Sequence, residues 1–207
     1  MISLQTALTF FGIALGLAVA PGPDILFVLT QSALYGARAG LVTTLGLMSG
    51  LFFHTALVAV GVAAIFQHSP TAFLLLKAAG AAYLLYLAWL SLRAGAVLAQ
   101  GKQDAFIGYA ALYRRGVFMN VTNPKITLFF LAFLPQFCSP ERGSMVMQII
   151  QLGLLFLLAT GIVFGLTALL GGRLAMWFNT SPRAQVIMHR LAALVFAGLA
   201  CSLLLTV

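Results

Sequence analysis

The chain has 207 residues, of which 62% are hydrophobic and only 7% are charged, and its mean hydropathy is +1.09. Soluble globular domains carry roughly 25% charged residues, so this composition excludes a soluble domain and indicates an integral membrane protein. The formal net charge of +8 does not indicate nucleic-acid binding, because the cations stand between apolar runs, as expected for the loops of a membrane protein.

The apolar runs predict an all-α membrane protein with six spanning helices, since a crossing requires roughly 20 apolar residues. In chain order the predicted helices cover about 4–34, 41–65, 71–92, 115–137, 145–170 and 185–206. The first is too long for one straight crossing and is interrupted at 21–24, and the fourth is interrupted at 123–125. A less apolar stretch, about 94–113, separates the first three helices from the last three.

The first apolar run ends in Ala18-Val19-Ala20, which resembles a signal-peptidase site. No Lys or Arg precedes this run, whereas a cleavable signal peptide begins with a positively charged region. The run is therefore predicted to be the first half of a retained membrane helix.

Cations are concentrated in alternate loops. The loops after the first, third and fifth predicted helices contain Arg38, Arg93, Lys102, Arg114, Arg115, Arg173, Arg183 and Arg190. The other side has Arg142 and, near the start of the third helix, Lys77. Arg190 could instead lie within the sixth helix without removing the asymmetry. The positive-inside rule therefore predicts that the odd-numbered loops are cytoplasmic and that both termini are periplasmic.

Two polar, proline-containing breaks lie about half a chain apart, the first at Pro21-Gly22-Pro23-Asp24 and the second at Asn123-Pro124-Lys125. When Pro23 of the first break is aligned with Pro124 of the second, Asp24 falls opposite Lys125. An apolar run follows both breaks. Breaks at corresponding points of two halves are typical of the central site of a transporter.

Three helices in each half place the second half in the membrane in the opposite orientation to the first. The chain is therefore predicted to be a single polytopic domain, residues 1–207, made of two inverted three-helix repeats. The first repeat covers about 1–93 and the second about 114–207, and a cytoplasmic linker of about 94–113 joins them.

The prolines of the first break explain why the helix must stop there. Pro21 and Pro23 lack a backbone N–H donor, and each ring clashes with the preceding helical turn. The carbonyl groups of residues 18–20 then lose their intrahelical donors, which is costly in lipid. The broken backbone is therefore predicted to face the interior of the bundle or a wet cavity.

After each break the helix is predicted to restart. Proline is favourable in the first helical turn, and Asn123 is a good N-cap for a helix that begins at Pro124. The free N–H groups and the positive dipole end of both restarted helices then point at the breaks. Two such N-termini that converge near the middle of the membrane would form a place to hold a carboxylate.

Asp24 is the only acidic residue at membrane depth, since Asp104 and Glu141 fall in predicted loops. A carboxylate inside a membrane is costly and is by default a functional hypothesis. Burial favours its protonated form and a nearby cation favours its charged form, so the group is suited to carrying a proton or binding a substrate ammonium. The alternative is an internal Asp24–Lys125 ion pair, or a helix cap, that only joins the two halves.

Three other polar residues of the predicted helices have both a functional and a structural interpretation. The long side chains of Lys125 and Lys77 could extend to the membrane interface rather than to a central site. His54 lies beside Phe52 and Phe53, which is typical of a hydrogen-bonded packing residue. His54 and Lys77 are therefore only secondary candidates for the site.

Tyr83, Tyr86 and Trp89 place aromatic rings along the third predicted helix. Tyr and Trp are enriched where membrane helices meet the aqueous interface. These residues are interpreted as packing and interfacial anchors rather than as a substrate cage.

Small residues recur at four-residue spacing, and such pairs let helix backbones approach closely. The pairs are Gly12 and Gly16, Gly46 and Gly50, and Gly161 and Gly165. They either pack within one bundle or form a homodimer interface, and the spacing alone leaves both open.

The two breaks belong to a series of motifs that runs over essentially the whole chain. These are Pro21-Gly22-Pro23-Asp24, then Gly36, Gly40, Gly46 and Gly50, then Leu76–Leu84, then Gly116, Asn120 and Asn123-Pro124-Lys125, and last Phe130–Phe137. In this order the motifs are specific, and the chain resembles the LysE/RhtB family of bacterial amino-acid exporters, which includes homoserine and threonine efflux proteins. The loop at 94–113 and the last helix match less well.

The resemblance implies a multi-pass protein of the bacterial inner membrane that exports amino acids or close derivatives of the homoserine, threonine and lysine class. It implies an amino acid and the proton as partners and no cofactor. Carried over by motif, the substrate- and proton-binding residues are Pro21, Gly22, Pro23, Asp24, Asn123, Pro124 and Lys125. Asn120 joins His54 and Lys77 as a further candidate.

The resulting hypothesis is an exporter that works by alternating access around a midplane cavity, where Asp24 exchanges a proton for the substrate's ammonium. An enzyme would need a nucleophile–base set, a metal cluster or several carboxylates, which this chain does not offer in its helices. The alternative is a metal-ion or other small-solute efflux carrier of related architecture. One carboxylate is too few for a metal site, although carbonyl groups freed at the breaks could contribute.

Overall fold

The computed structural model describes residues 1–68, 70–94 and 106–205, and within these ranges every regular element is helical. The helices are α1 (Leu4–Val19), α2 (Pro23–Tyr35), α3 (Ala37–His68), α4 (Pro70–Arg93), α5 (Tyr109–Val121), α6 (Pro124–Leu128), α7 (Met145–Thr180) and α8 (Pro182–Leu205). A π-helical segment, Phe129–Phe133, and a 3-10 turn, Leu134–Phe137, continue α6. A second 3-10 turn, Pro140–Arg142, precedes α7.

Both predicted breaks are confirmed as bends between consecutive helices. The axes of α1 and α2 differ by 58°, and those of α5 and the segment Pro124–Phe137 differ by 46°. Four described helices are long and apolar enough to span a membrane, and the number rises to six when each bent pair counts as one span. The described residues therefore form a multi-pass, all-helical membrane protein, as the hydropathy predicted.

The helix ends differ from the predicted boundaries on the side of the cationic residues. α5 begins at Tyr109 rather than near 115, and α7 continues to Thr180 rather than ending near 170. Arg114, Arg115 and Arg173 therefore lie within helices, and Arg183 and Arg190 lie within α8. These arginines are exposed, so a helix can carry them beyond its apolar span without burying charge. Of the predicted linker, residues 95–105 lie outside the described part of the chain.

α3 is the central helix of the bundle and packs against α2, α5 and α7, while α4 packs mainly against α8. The crossing of α3 and α5 depends on glycine. A Cβ atom at Gly116 would lie 2.7 Å from the carbonyl oxygen of Thr43, and one at Gly46 would overlap the carbonyl oxygen of Tyr113. The pair Gly46 and Gly50 therefore packs within the bundle, whereas a Cβ atom at Gly12 would meet nothing within 4 Å.

The largest described core cluster is aromatic and lies directly beyond the second break. Phe129, Phe130 and Phe133 are buried. The Phe129 ring contacts those of Phe10, Phe133 and Phe156, and the Phe130 ring contacts that of Phe156, at centroid distances of 5.1 to 6.0 Å. The π-helical turn brings three phenylalanines of one short segment into the same core. This packing holds the segment that continues α6 against α1 and α7, directly beyond the second break.

Candidate functional site

The two breaks meet through the side chain of Lys125. Its ammonium donates hydrogen bonds to the carbonyl oxygens of Leu17 at 2.9 Å and Ala20 at 3.0 Å. The Leu17 carbonyl would normally accept from the N–H of residue 21, which is a proline and has none. Two of the carbonyl groups at the end of α1 are thus satisfied by the cation of the second break.

The side chain of Lys125 is held inside the bundle. Only 8% of the residue is exposed, and the ammonium lies 5.3 Å from the centre of the Phe196 ring in α8, within cation–π range. The negative end of the α1 dipole also favours a cation at this point. The interpretation of Lys125 as a residue that extends to the membrane interface does not fit this arrangement.

Both restarted helices begin as the sequence predicted. α2 starts at Pro23 with Gly22 as its N-cap, and α6 starts at Pro124 with Asn123 as its N-cap. The side-chain oxygen of Asn123 accepts a hydrogen bond from the backbone N–H of Lys125 at 3.0 Å. The cap fixes the first turn of α6 and therefore the direction in which the Lys125 side chain leaves the backbone.

Asp24 makes the reverse connection, from the first break to the second bent pair. Its side chain is buried, and its Oδ2 atom accepts a hydrogen bond from Nδ2 of Asn120 at 3.0 Å. Asn120 lies in the last turn of α5, as Leu17 and Ala20 lie at the end of α1. Each charged residue thus reaches the end of the other half's broken helix, and no described hydrogen bond joins Asp24 to Lys125 directly.

His54 of α3 extends this network. Its Nε2 atom lies 3.0 Å from the backbone carbonyl oxygen of Asn120, so Nε2 carries the hydrogen and donates. The ring packs against Phe53 and Phe130, with centroid distances of 5.8 and 5.7 Å. The structure therefore brings His54 and Asn120 to Asp24, and it gives His54 the hydrogen-bonded, packed environment that the structural interpretation predicted.

Three buried atoms of this network have no hydrogen-bond partner within the described part of the chain: Asp24 Oδ1, His54 Nδ1 and Asn120 Oδ1. In the neutral imidazole that donates from Nε2, Nδ1 is an acceptor, so all three atoms are acceptors when Asp24 is ionised. A buried acceptor without a donor is costly. A hydrogen-bond donor, such as a water molecule or an ammonium group, would satisfy these atoms when Asp24 is ionised.

Two cavities meet at the breaks. The Asp24 cavity, of about 20 Å³, is lined by Asp24, Asn120 and Lys125 among others. The α4–α8 cavity, of about 280 Å³, lies between those two helices and both breaks. Gly22, Asn123 and Lys125 line both cavities, so the Lys125 side chain stands between the larger space and the buried carboxylate.

The α4–α8 cavity is lined by polar residues that the sequence did not single out as a site: Tyr83, Ser91 and His189. The sequence predicts that Tyr83, Tyr86 and Trp89 are all packing and interfacial anchors, but only Tyr86 and Trp89 are exposed, whereas Tyr83 lies on the cavity wall. The available signal was spacing, because the cavity-lining residues of α4 recur at helical intervals on one face.

Lys77 is buried in α4 but does not line either cavity. Its position separates it from the residues that the two breaks bring together. Over residues 1–68, 70–94 and 106–205, no group of three or more His, Cys, Asp or Glu side chains is arranged to hold a metal ion. The donors gathered at the breaks are instead one carboxylate, one ammonium, amides and backbone carbonyl groups.

Residues 15–206 match the family model described as "LysE type translocator". An uncharacterized membrane protein of Vibrio cholerae serotype O1 is 35% identical over 91% of this chain and 90% of its own length. The homoserine/homoserine lactone efflux protein of Salmonella typhimurium is 34% identical, covering 83% of this chain and 82% of its own. The leucine efflux protein of Salmonella choleraesuis is 26% identical over 92% of this chain and 90% of its own.

No solved structure matches the chain. The family match includes both breaks and all four long helices, and the relatives are aligned over most of their length. The chain therefore belongs to the LysE type translocator family.

Proposed function

We propose that this protein exports amino acids or close derivatives across the bacterial inner membrane. Two of its relatives are named for the efflux of homoserine, homoserine lactone or leucine. The observation that carries the proposal is the meeting of a buried carboxylate and a buried ammonium at two helix breaks, beside a cavity of about 280 Å³. A zwitterion has the complementary pair of charges.

The proposed architecture is a pair of inverted three-helix repeats, about 1–93 and 114–207, joined by a cytoplasmic linker. The crossed contacts support it, because Asp24 reaches the end of α5 and Lys125 reaches the end of α1. The packing of α3 on α7 and of α4 on α8 supports it too, since these helices occupy equivalent places in the two repeats. The distribution of cations supports termini that both face the periplasm.

In the proposed complex the substrate's ammonium binds at Asp24. The free Oδ1 atom of Asp24 and the free Oδ1 atom of Asn120 are acceptors, and a primary ammonium offers three N–H donors. Hydrogen bonds from a charged donor to a carboxylate are among the stronger ones in proteins. The substrate therefore supplies the kind of group that these buried acceptors need.

The substrate's carboxylate is proposed to bind between Lys125 and the N-terminus of α2. The Lys125 ammonium has three N–H donors and gives two of them to the carbonyl oxygens of Leu17 and Ala20, which leaves one. The first turn of α2 adds backbone N–H groups and the positive end of a helix dipole. Lys125 can therefore bind the carboxylate without releasing the end of α1.

Proton coupling is proposed to arise because Asp24 holds either a proton or the substrate's ammonium. A proton taken up from the periplasm would displace the ammonium outward, and its release to the cytoplasm would free the carboxylate for the next substrate. The direct competition makes the cycle an antiport. No additional titratable residue is needed for this exchange.

The experiment that tests the proposal measures amino-acid transport in inverted membrane vesicles across a panel of substrates. The variants are Asp24→Asn and Glu141→Gln, a matched control in which an exposed carboxylate becomes an amide. We expect gradient-dependent transport of one amino-acid class in the wild type and in Glu141→Gln, and its loss in Asp24→Asn. Normal rate and normal pH dependence in Asp24→Asn would refute the coupling, and a folded wild type that moves no amino acid would indicate another solute.

A further inference from the structure

We infer that the α4–α8 cavity receives the substrate's side chain, that Tyr83, Ser91 and His189 select it, and that the cavity admits uncharged side chains. This inference rests on the proposed function and specifies the substrate class. The first supporting observation is continuity, because Gly22, Asn123 and Lys125 form a wall common to this cavity and the Asp24 cavity. A substrate whose charged groups bind at that wall must place its side chain on one side of it.

Size assigns the side chain to the larger cavity. A single water occupies about 10–15 Å³ of cavity volume by this measure, so the Asp24 cavity of about 20 Å³ holds little more than one water or one ammonium group. The α4–α8 cavity, at about 280 Å³, has room for the remainder of a small or medium amino acid. A side chain directed toward Asp24 would instead meet the tightly packed crossing of α3 and α5.

The walls of the α4–α8 cavity are mostly apolar and carry a few polar groups. Leu87, Leu90 and Phe196 line it together with the hydroxyl-bearing Tyr83 and Ser91. The imidazole of His189 adds a group that can donate or accept. A mainly apolar pocket with a small number of placed polar groups is the usual form of a small-molecule site. The apolar walls accommodate aliphatic carbon, and the polar groups can bind a hydroxyl.

The charge of the lining argues against a cationic side chain. Among the residues that the structure describes, no Asp or Glu lines the α4–α8 cavity, whereas Lys125 is part of its lining. A lysine- or arginine-like side chain would enter an apolar space with a like charge at its inner wall and no counter-ion from the described lining residues, which is costly. An anionic side chain would compete with the substrate's own carboxylate for Lys125. Uncharged side chains avoid both costs.

The position of the cavity fits entry from the cytoplasm. α4 and α8 run antiparallel, since Gly80 lies against Leu203 while Ala94, after the end of α4, and His189, near the start of α8, line the same cavity. Ala94 and His189 therefore line the cavity at the end that carries Arg93 and Arg190, which the positive-inside rule places in the cytoplasm. Phe196 and Lys125 lie at its inner end.

The test measures kcat/KM for homoserine, leucine and lysine with the full-length protein in vesicles. Tyr83→Phe and Ser91→Ala remove hydroxyl groups, and His189→Phe removes the imidazole. Tyr86→Phe is the matched control, because Tyr86 is on the same helix but exposed. We expect each cavity variant to lower the homoserine-to-leucine ratio by roughly two- to tenfold, the effect of one lost hydrogen bond, and Tyr86→Phe to leave it unchanged.

A gain of function makes the test independent of losses caused by poor folding. Ser91→Asp adds a carboxylate to the cavity wall, and we expect it to raise the lysine-to-homoserine ratio by about tenfold or more. Unchanged ratios in all four cavity variants, or wild-type lysine transport as efficient as that of homoserine, would overturn the inference. If the ratios are unchanged but the wild type transports amino acids and Asp24→Asn does not, the inference about the cavity fails and the proposed function stands. A wild type that transports no amino acid overturns the proposed function as well.

Discussion

The Lys125 ammonium donates to the carbonyl oxygen of Leu17 at 2.9 Å, across 108 positions of the chain. The acceptor is free because Pro21 has no N–H to offer it. The break in α1 therefore creates the binding place for a cation that the second bent pair supplies. The carbonyl groups left without donors at the break and the buried ammonium would each be costly alone. Their hydrogen bonds stabilise both.

Replacing Lys125 by Met is expected to destabilise the protein and abolish transport. The change leaves the carbonyl groups of Leu17 and Ala20 without their described donor, at about 1–3 kcal/mol for each unsatisfied group. Thermal unfolding in detergent measures the stability and vesicle transport measures the activity. Arg142→Met, which removes an exposed cation, is the control and should change neither. A normal melting temperature for Lys125→Met would contradict the assigned role of the ammonium.

Replacing Gly50 by Ala is expected to weaken the hydrogen bond that Asp24 accepts from Asn120, although the substitution is on another helix. A Cβ atom at Gly50 would lie 2.6 Å from Oδ1 of Asn120 and 2.8 Å from its Cβ, so Asn120 must move away from the carboxylate it binds. Overpacking of this kind costs about 1–3 kcal/mol. Gly165→Ala is the matched control, since a Cβ atom there meets nothing within 4 Å. We expect a lower melting temperature and impaired transport for Gly50→Ala alone, and equal behaviour of the two variants would refute the close approach.

Cys138, just beyond the second bent pair, is expected to react slowly with thiol reagents. Burial raises the pKa of the Cys138 thiol to about 12. Only the thiolate reacts, so at pH 8 roughly one thiol in 10⁴ is reactive, and the rate should rise about tenfold per pH unit. Alkylation of the Cys201→Ser variant, followed by mass spectrometry, measures this rate. An exposed cysteine introduced by Glu141→Cys should react far faster, and similar rates for both would contradict the raised pKa of the half-buried Cys138.

The helix breaks could be predicted from the residues within one helical turn. The side-chain contacts across the breaks depend on how distant helices pack, so they could not. Pro23, Pro124 and the Asn123 cap follow from rules that act within one helical turn, and each lies where the sequence placed it. The carbonyl partners of Lys125 were not predicted, because the alignment of the two breaks suggested Asp24 as its counter-charge. His189 was missed for a related reason: it joins the cavity only through the pairing of α4 with α8, which has no local signal.

Substitutions at Asn120 and His54 are expected to reduce stability by different amounts, because they leave different hydrogen-bonding groups without a partner. Asn120→Leu removes the described donor to Asp24, so transport should fall. The free energy of unfolding should decrease by about 1–3 kcal/mol. His54→Phe removes one donor from the Asn120 carbonyl, which still accepts from the backbone N–H of Asn123 at 3.0 Å. Its loss of stability should therefore be smaller, about 0.5–1.5 kcal/mol. Thermal unfolding and vesicle transport of both variants check the order, and a larger loss in His54→Phe would show that the imidazole, rather than the Asn120 amide, holds the network together.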